Sequence, residues 1–172
     1  SGVDFTSLQG DKAVVEIMQR MGADIAQNAD SVTVNSGATQ ATVIDASNCT
    51  DIIPALTVLA AVSEGTTKII NAGRLRIKEC DRLAAMTSEL NKMGAAITEE
   101  AEGLTITGKP EGLRGGVEVD AWNDHRIAMS LAIAAQCCAE PIILTGAGSV
   151  SKSYPDFWQD YQSVGGKIEV LA

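Results

Sequence analysis

The chain has 172 residues, of which 45% are hydrophobic, 20% charged and 3% aromatic. This length and composition predict one domain that buries about 70% of its unfolded surface, and they exclude intrinsic disorder. Lys and Arg number 13 against 22 for Asp and Glu, and the resulting net charge of −9 disfavours nucleic acid as a partner, because phosphate backbones attract basic surfaces. A membrane span is excluded as well, because no apolar run reaches the roughly 18 residues that it needs.

The start of the chain and its cysteines predict a compartment. The chain begins Ser1-Gly2-Val3-Asp4, without a Met, a basic segment or an apolar segment. The given sequence shows no secretory signal, and its start is typical of a piece of a longer protein or of a remnant of cloning. The cysteines lack metal-ligand spacing, and disulfides are rare in the cytosol. They are expected to be reduced thiols of a cytoplasmic protein, with no metal site: Cys49, Cys80, Cys137 and Cys138.

A short sequence recurs three times along the chain. Met21-Gly22-Ala23-Asp24-Ile25 returns 72 residues later as Met93-Gly94-Ala95-Ala96-Ile97. A weaker third copy, Val164-Gly165-Gly166-Lys167-Ile168, follows after another 71 residues. Each glycine is expected to end an amphipathic helix and each isoleucine to begin a strand, so the chain is predicted to contain repeats of about 72 residues.

The predicted elements follow the same order in each repeat: an apolar helix, a strand, an Ala-Gly loop, an amphipathic helix and a pair of strands. The first repeat begins only at its amphipathic helix. In chain order, the predicted elements are an amphipathic helix 11–21, an apolar helix 52–63, a strand 67–73, an amphipathic helix 79–93, an apolar helix 126–137, a strand 141–148 and a helix that starts at Pro155 and Asp156. This order predicts an α/β fold of the α+β type with pseudo-threefold symmetry. The apolar helices should lie inside because they lack a polar face.

The few cations of this acidic chain are concentrated near predicted helix starts. Lys78 and Arg82 lie in or beside the first turn of one helix, His125 and Arg126 in the first turn of another, and Lys152 ahead of a third. Helix N-termini disfavour cations but bind anions through their free N–H groups. We therefore expect the three helix N-termini to converge on one cleft that binds a polyanionic small molecule.

Structural roles account for the same residues. Acids and bases three positions apart within residues 78–82 fit solvated ion pairs. Asp51 and Asp124 stand where helix caps are expected. His125 fits a structural histidine whose ring nitrogens are hydrogen-bonded within the fold. Spacing alone therefore indicates an anion-binding α/β domain and leaves open whether it is an enzyme.

Three motifs carry a resemblance to a known family. Residues 75–83 contain Lys-Glu-x-Asp-Arg, residues 123–130 contain Asp-His-Arg-x-Ala-Met, and residues 151–157 read Ser-Lys-Ser-Tyr-Pro-Asp-Phe. These motifs, in this order, resemble signatures of the 3-phosphoshikimate 1-carboxyvinyltransferase (EPSP synthase) family. The resemblance runs over essentially the whole chain. One departure is Cys80, which stands where relatives usually carry Ser or Thr.

The resemblance implies an architecture. Family members have two similar lobes, each built of three βαβαββ units around a pseudo-threefold axis. It places residues 1–172 in the C-terminal lobe as a single domain. The N-terminal lobe, which carries further phosphate-binding residues, would then be a partner within the same enzyme.

The resemblance also implies a reaction. The family joins the enolpyruvyl group of phosphoenolpyruvate to the 5-hydroxyl of shikimate 3-phosphate and releases phosphate, in the pathway to the aromatic amino acids. The reaction proceeds by addition and then elimination, without metal or organic cofactor. By resemblance, Asp51 is the base that takes the hydroxyl proton, and Glu79 handles protons at the pyruvyl methylene.

The remaining motif residues are implied to bind substrates. Lys78 is expected to contact shikimate 3-phosphate and the reacting region. Arg82, Arg126 and Lys152 would hold the carboxylate and phosphate of phosphoenolpyruvate, and His125 would line the site. Arginine forks suit bidentate contacts with anions, whereas lysine acts as a point charge.

Two alternatives remain at this point. A UDP-N-acetylglucosamine enolpyruvyl transferase lobe shares the fold and the donor, but that family lacks the first two motifs in this form. The second alternative is that the chain is only a ligand-binding lobe. We expect the chain to fold by itself but not to catalyse by itself, because two phosphorylated substrates must be held by few cations.

Overall fold

A computed structural model describes residue 2 and residues 4–171 of the chain. Ser1, Val3 and Ala172, which the predicted domain 1–172 includes, lie outside the described residues. The helices are α1 Ala13–Arg20, α2 Ile53–Ala61, α3 Arg82–Lys92, α4 His125–Ala135 and α5 Phe157–Ser163. The strands are β1 Ile25–Gln27, β2 Val32–Val34, β3 Val43–Asp45, β4 Thr66–Ile70, β5 Ala96–Glu100, β6 Gly103–Thr107, β7 Glu118–Asp120 and β8 Ile143–Thr145. Across the described residues, every helix is too short or too polar to cross a membrane.

The middle repeat is a complete βαβαββ unit. Its sheet has the strand order β3-β4-β6-β5, and β3 and β4 run parallel on either side of α2 in the sequence. After α3 the chain forms the β5–β6 hairpin, and β6 pairs antiparallel with β4. This arrangement confirms the predicted mixed α/β fold and its repeat order.

The outer repeats contain parts of the same unit. The first contributes α1 and the antiparallel pair β1–β2. The third contributes parallel strands β7 and β8 with α4 between them, followed by α5. The strand predicted to begin at Ile168 is wrong, because the described residues 166–171 form no strand. A strand persists only where a neighbour satisfies its backbone hydrogen bonds, and no described strand pairs with these residues.

The three predicted corners share one geometry. Gly22, Gly94 and Gly165 have φ values of 84°, 100° and 102°, in the left-handed region that favours glycine. In each corner the glycine N–H bonds the carbonyl three residues earlier, and the next N–H bonds the carbonyl five residues before its own position. This is the Schellman pattern that ends a helix.

The apolar helices are buried as predicted. Seven of the nine residues of α2 and seven of the eleven of α4 are buried, and the two helices pack against each other. On α3, the predicted stripe of Leu83, Met86, Leu90 and Met93 is at most 1% exposed. The core is therefore built from these helices and the inner faces of the sheets.

The start of α3 differs from the prediction. The carboxylate of Asp81 accepts hydrogen bonds from the backbone N–H groups of Leu83 and Ala84, both at 3.1 Å, so Asp81 is the N-cap and the helix begins at Arg82. The expected helix start at Glu79 is wrong by three residues. Lys78 and Glu79 therefore lie in the loop before the helix rather than in its first turn.

Two positions on α4 test the burial. Leu131 is fully buried and Ile133 is 47% exposed. Replacing Leu131 with Ala should lower the free energy of unfolding by about 2–5 kcal/mol, because it leaves a cavity in a close-packed core. Ile133→Ala is the matched control and should cost less than about 1 kcal/mol. Denaturant unfolding of both variants measures the difference, and equal losses would contradict the burial.

Candidate active site

The structure brings the starts of three helices to one place. Six of the seven predicted site residues and one further carboxylate are connected by contacts of 4.0 Å or less. We call this set the ionic cluster, and it consists of Asp51, Lys78, Glu79, Arg82, Asp124, His125 and Arg126. Residue 51 precedes α2, residues 78–82 lead into α3, and residues 124–126 begin α4. The predicted convergence is therefore present for the starts of α3 and α4, but the third start is that of α2 and not that of α5, ahead of which Lys152 lies.

Asp51 contacts three cations. Its Oδ1 lies 3.3 Å from Lys78 Nζ and 3.1 Å from Arg82 Nη1, and its Oδ2 lies 3.1 Å from Arg126 Nη2. Arg126 also donates through Nη1 to the Asp51 main-chain carbonyl at 2.9 Å. Asp51 is not a helix cap: it lies in a 3₁₀ turn, and Ile52 occupies the N-cap position of α2. Its carboxylate is used for ion pairing instead.

The cations around Asp51 change its acidity. Burial by itself raises the pKa of the Asp51 carboxyl, but the attraction of Arg126, followed by that of Lys78, outweighs it. The net pKa lies below the ordinary value of 3.8. Asp51 is therefore ionised at neutral pH, and its basicity depends on how strongly these cations hold it.

Arg82 is at the centre of the ionic cluster. It is 1% exposed, and each of its three nitrogens donates to a carboxylate. Its Nε bonds Asp124 Oδ2 at 2.8 Å, its Nη2 bonds Glu79 Oε2 at 2.6 Å, and its Nη1 reaches Asp51. The sequence places Arg82 among the anion-binding cations, and in the structure three protein carboxylates occupy its guanidinium.

Asp124 has a second role that spacing did not predict. Its Oδ1 accepts the backbone N–H of Arg126 at 2.8 Å, which confirms the expected helix cap. The same carboxylate, fully buried, also pairs with Arg82. Burial raises the pKa of Asp124, but the Arg82 hydrogen bond and the Arg126 N–H outweigh this and lower it. The signal available in the sequence was its position 73 residues after Asp51, in the equivalent place of the next repeat.

Glu79 reaches solvent at one side of the ionic cluster, and the buried His125 lies beside it. The Glu79 side chain is 41% exposed, and its Oε1 lies 4.0 Å from His125 Nδ1. His125 is 8% exposed, and its Nδ1 has no hydrogen-bond partner among the described residues. Glu79 is therefore a carboxylate that reaches solvent while one of its oxygens is held by Arg82.

Lys152 lies beside the ionic cluster. Its Nζ donates to the main-chain carbonyl of Asn123 and, at 2.8 Å, to the Asn123 side-chain oxygen. Asn123 directly precedes Asp124, so Lys152 is held next to the start of α4. Lys152 is exposed, and Lys78 and Arg126 are partly exposed, whereas Arg82 is buried. The accessible cations can bind an anion, and the carboxylates next to them can transfer protons.

Cys80, the departure from the family motif, lies beside Asp124. Its Sγ is 3.6 Å from Asp124 Oδ2. Burial first, and the negative charge of Asp124 second, raise the pKa of the Cys80 thiol to about 12. The thiol is therefore protonated and can donate to the carboxylate, as a hydroxyl at this position would. Among the described residues, no group of three His, Cys, Asp or Glu side chains is arranged to hold a metal ion.

Comparison with known proteins gives the family. The family model described as EPSP synthase (3-phosphoshikimate 1-carboxyvinyltransferase) matches residues 1–161. A 3-phosphoshikimate 1-carboxyvinyltransferase of Clostridium novyi is 56% identical over 167 residues, covering 97% of this chain and 38% of the relative. The enzyme of that name from Clostridium beijerinckii is 58% identical over 165 residues, covering 95% of this chain and 38% of the relative. The chain thus spans about two-fifths of the length of these relatives.

Solved structures agree. An EPSP synthase from Acinetobacter baumannii superposes with a TM-score of 0.86 at 30% identity, over 95% of this chain and 41% of that one. The enolpyruvyl transferase NikO from Streptomyces tendae shares the fold, with a TM-score of 0.76 at 24% identity, over 92% of this chain and 36% of that one. Because the family model matches nearly the whole length of this chain, the chain belongs to the EPSP synthase family.

Proposed function

We propose that the chain is the C-terminal lobe of an enzyme that transfers the enolpyruvyl group of phosphoenolpyruvate to the 5-hydroxyl of shikimate 3-phosphate and releases phosphate. The observation that carries the proposal is the ionic cluster, in which Asp51 is held by Lys78, Arg82 and Arg126 at the meeting point of three helix starts. The names of the relatives support it. Their greater length supports a second lobe that completes the site.

The accessible cations form the donor site. Phosphoenolpyruvate carries a carboxylate and a phosphate, and the Arg126 fork and the Lys152 ammonium are the groups that can bind them directly. Arg82 is expected to join them only if Asp51 or Glu79 gives up its hydrogen bond, because its nitrogens already donate to carboxylates. Lys78 Nζ lies 3.3 Å from Asp51 Oδ1, so it is expected to contact the acceptor beside this base.

Asp51 takes the proton of the acceptor hydroxyl. In the free site Arg126 and Lys78 hold its pKa low, which makes it a weak base. A donor anion that binds the same cations draws them away from the Asp51 carboxylate, so the pKa of Asp51 rises when the substrates are in place. The base thus becomes stronger when both substrates are present.

Glu79 handles the proton at the pyruvyl methylene. In the addition step, the acceptor oxygen bonds to the central carbon of the donor and a proton is added to the methylene carbon, which gives a tetrahedral ketal. In the elimination step, the bond to the phosphate oxygen breaks and a proton leaves the methyl carbon. The exposed Glu79 carboxyl can deliver the first proton and accept the second. Closure of the other lobe would exclude water during both steps.

A comparison of acceptors tests the proposal. The full-length parent should release phosphate from phosphoenolpyruvate with shikimate 3-phosphate and not with UDP-N-acetylglucosamine. Asp51→Asn should lower kcat by about 10²- to 10⁴-fold, the usual contribution of a general base. Asp30→Asn, an exposed carboxylate in the β1–β2 turn, is the control and should keep the activity. Release with the other acceptor, or with neither, would reject the assignment.

Arg126 tests the donor site. Arg126→Ala in the full-length parent should raise the KM for phosphoenolpyruvate by about ten- to a hundredfold, the worth of hydrogen bonds to a charged group, and leave that for shikimate 3-phosphate nearly unchanged. It should also move the acid limb of the kcat/KM profile to higher pH, because Arg126 is the largest of the influences that lower the pKa of Asp51.

The exposed Arg114 provides the matched control for this variant. Arg114→Ala removes the same charge outside the ionic cluster and should change neither KM nor the pH profile. Steady-state kinetics from about pH 3 to pH 9 measures both readouts, because the pKa of Asp51 in the free site lies below its ordinary value. Equal effects of Arg126→Ala on the two substrates would contradict the donor assignment.

The 172-residue chain by itself should fold but not catalyse. A single core of this size supports one cooperative unfolding transition. Contacts between exposed charges contribute little binding free energy in water. We therefore expect weak binding of phosphoenolpyruvate at best and no phosphate release without the other lobe. Calorimetry and a phosphate-release assay measure these outcomes. Turnover at the rate of the intact enzyme would overturn the two-lobe proposal.

A further inference from the structure

A buried carboxylate on α3 has no part in the proposed reaction. Glu89 lies in the second half of the helix and is 1% exposed. The equivalent position of the first repeat, 72 residues earlier, is Ile17, which is also buried at 4% exposure. A core position that holds a hydrocarbon in one repeat thus holds a carboxylate in the next. Such a group stays buried only if its oxygens are hydrogen-bonded.

Two of the four hydrogen bonds that Glu89 accepts come from the segment that leads from the end of β7 to α4. Its Oε1 accepts the indole N–H of Trp122 at 3.0 Å, and its Oε2 accepts the backbone N–H of Asp120 at 3.0 Å. Ser88 and Lys92, both neighbours on α3, donate to the remaining positions at 3.1 Å and 2.7 Å. These bonds outweigh burial and hold the pKa of Glu89 below its ordinary value, so it bonds the turn as an anion.

This turn is conformationally unfavourable. Trp122 and Asn123 have φ values of 51° and 52°, in the left-handed region that L-residues avoid. Among the described residues, only one other non-glycine residue, Asn71, has a positive φ. In the equivalent turn before α2 no residue has a positive φ, and Cys49 is at φ −140°. Two consecutive left-handed residues persist only where surrounding contacts hold them.

The same turn sets the position of the donor site. Asn123 holds Lys152 through both of its oxygens, and Asp124 pairs with Arg82 and caps α4. Arg126 follows within the first turn of that helix. A relaxation of the left-handed pair would therefore displace the anchors of Lys152 and Arg82 together with the direction in which Arg126 leaves the helix.

We propose that Glu89 is a positioning residue for the donor site, which acts by holding Trp122 and the backbone at Asp120 so that the left-handed turn keeps its form. The inference rests on the proposed function only for the identity of the donor. The alternative is a merely structural bond between α3 and β7. A structural role lowers stability without separating the two substrates, whereas a positioning role separates them.

The test uses three variants of the full-length parent. Glu89→Leu fills the site with a hydrocarbon, as Ile17 does in the first repeat, and removes every bond to the turn. Glu89→Gln keeps the shape and one acceptor oxygen. Lys92→Ala is the matched control: Lys92 bonds Glu89 but not the turn, and its side chain is 46% exposed.

Two readouts are measured on each variant. The first is the KM for each substrate and kcat. The second is the ¹⁵N–¹H resonance of the Trp122 indole, assigned with Trp122→Phe, which reports the bond to Glu89 whether or not the enzyme turns over. The Trp158 indole, which donates to the carbonyl of Ala147 at 3.2 Å, is the internal reference.

Glu89→Leu should raise the KM for phosphoenolpyruvate by about ten- to a hundredfold, the effect of a displacement near 1 Å, while that for shikimate 3-phosphate stays within about threefold. It should shift the Trp122 resonance and leave that of Trp158 in place. Glu89→Gln should give an intermediate effect in both readouts, and Lys92→Ala should match the unaltered enzyme in both.

Three results would overturn the proposal. They are an unchanged KM for phosphoenolpyruvate in folded Glu89→Leu, an equal loss for both substrates, and a Lys92→Ala effect as large as that of Glu89→Leu. If Glu89→Leu does not fold, Glu89→Gln decides by the same criteria. If the unaltered parent transfers no enolpyruvyl group, the proposed function fails, and the titration of inorganic phosphate decides: Glu89→Leu must bind it more weakly for the positioning role to stand.

Discussion

The buried pair between Arg82 and Asp124 is the interaction on which the site depends. It joins the start of α3 to the start of α4 at 2.8 Å, with both side chains at most 1% exposed. Charges removed from water are tolerated only where every donor and acceptor is satisfied. Asp51 and Glu79 satisfy the rest of the guanidinium, and the Arg126 N–H satisfies the second oxygen of Asp124. The pair therefore fixes both proposed proton-transfer groups and the first turn of α4.

This pairing explains how an acidic protein keeps cations at helix starts, where the helix dipole disfavours them. Each cation of the ionic cluster lies against a carboxylate, and Asp51 contacts three of them. In the proposed reaction, substrate anions replace carboxylates that are already in contact with the cations. The same contacts hold the pKa of Asp51 below its ordinary value in the free site, which would keep it a weak base until that replacement.

The repeats share a backbone plan but differ where the chemistry lies. The corners at Gly22, Gly94 and Gly165 are alike because a helix that ends in a reversal needs a left-handed residue. At the equivalent core position, Ile17 suffices in the first repeat and Glu89 stands in the second. The carboxylate stands in the repeat whose helix, α3, lies against the strained turn before α4. A core position can therefore hold a carboxylate instead of a hydrocarbon where a neighbouring turn donates hydrogen bonds to it.

The sequence by itself determined the repeat, the buried apolar helices, the stripe on α3 and the residues of the motifs, because periodicity and turn chemistry are local. It did not determine that α3 starts after Asp81, that Asp51 pairs with cations rather than capping α2, or that residues 166–171 form no strand. The tertiary structure alone decided these points and the second role of Asp124. The physical reason is distance along the chain: Arg82 meets a partner 42 residues away and Arg126 one 75 residues away, and only packing brings such groups into contact.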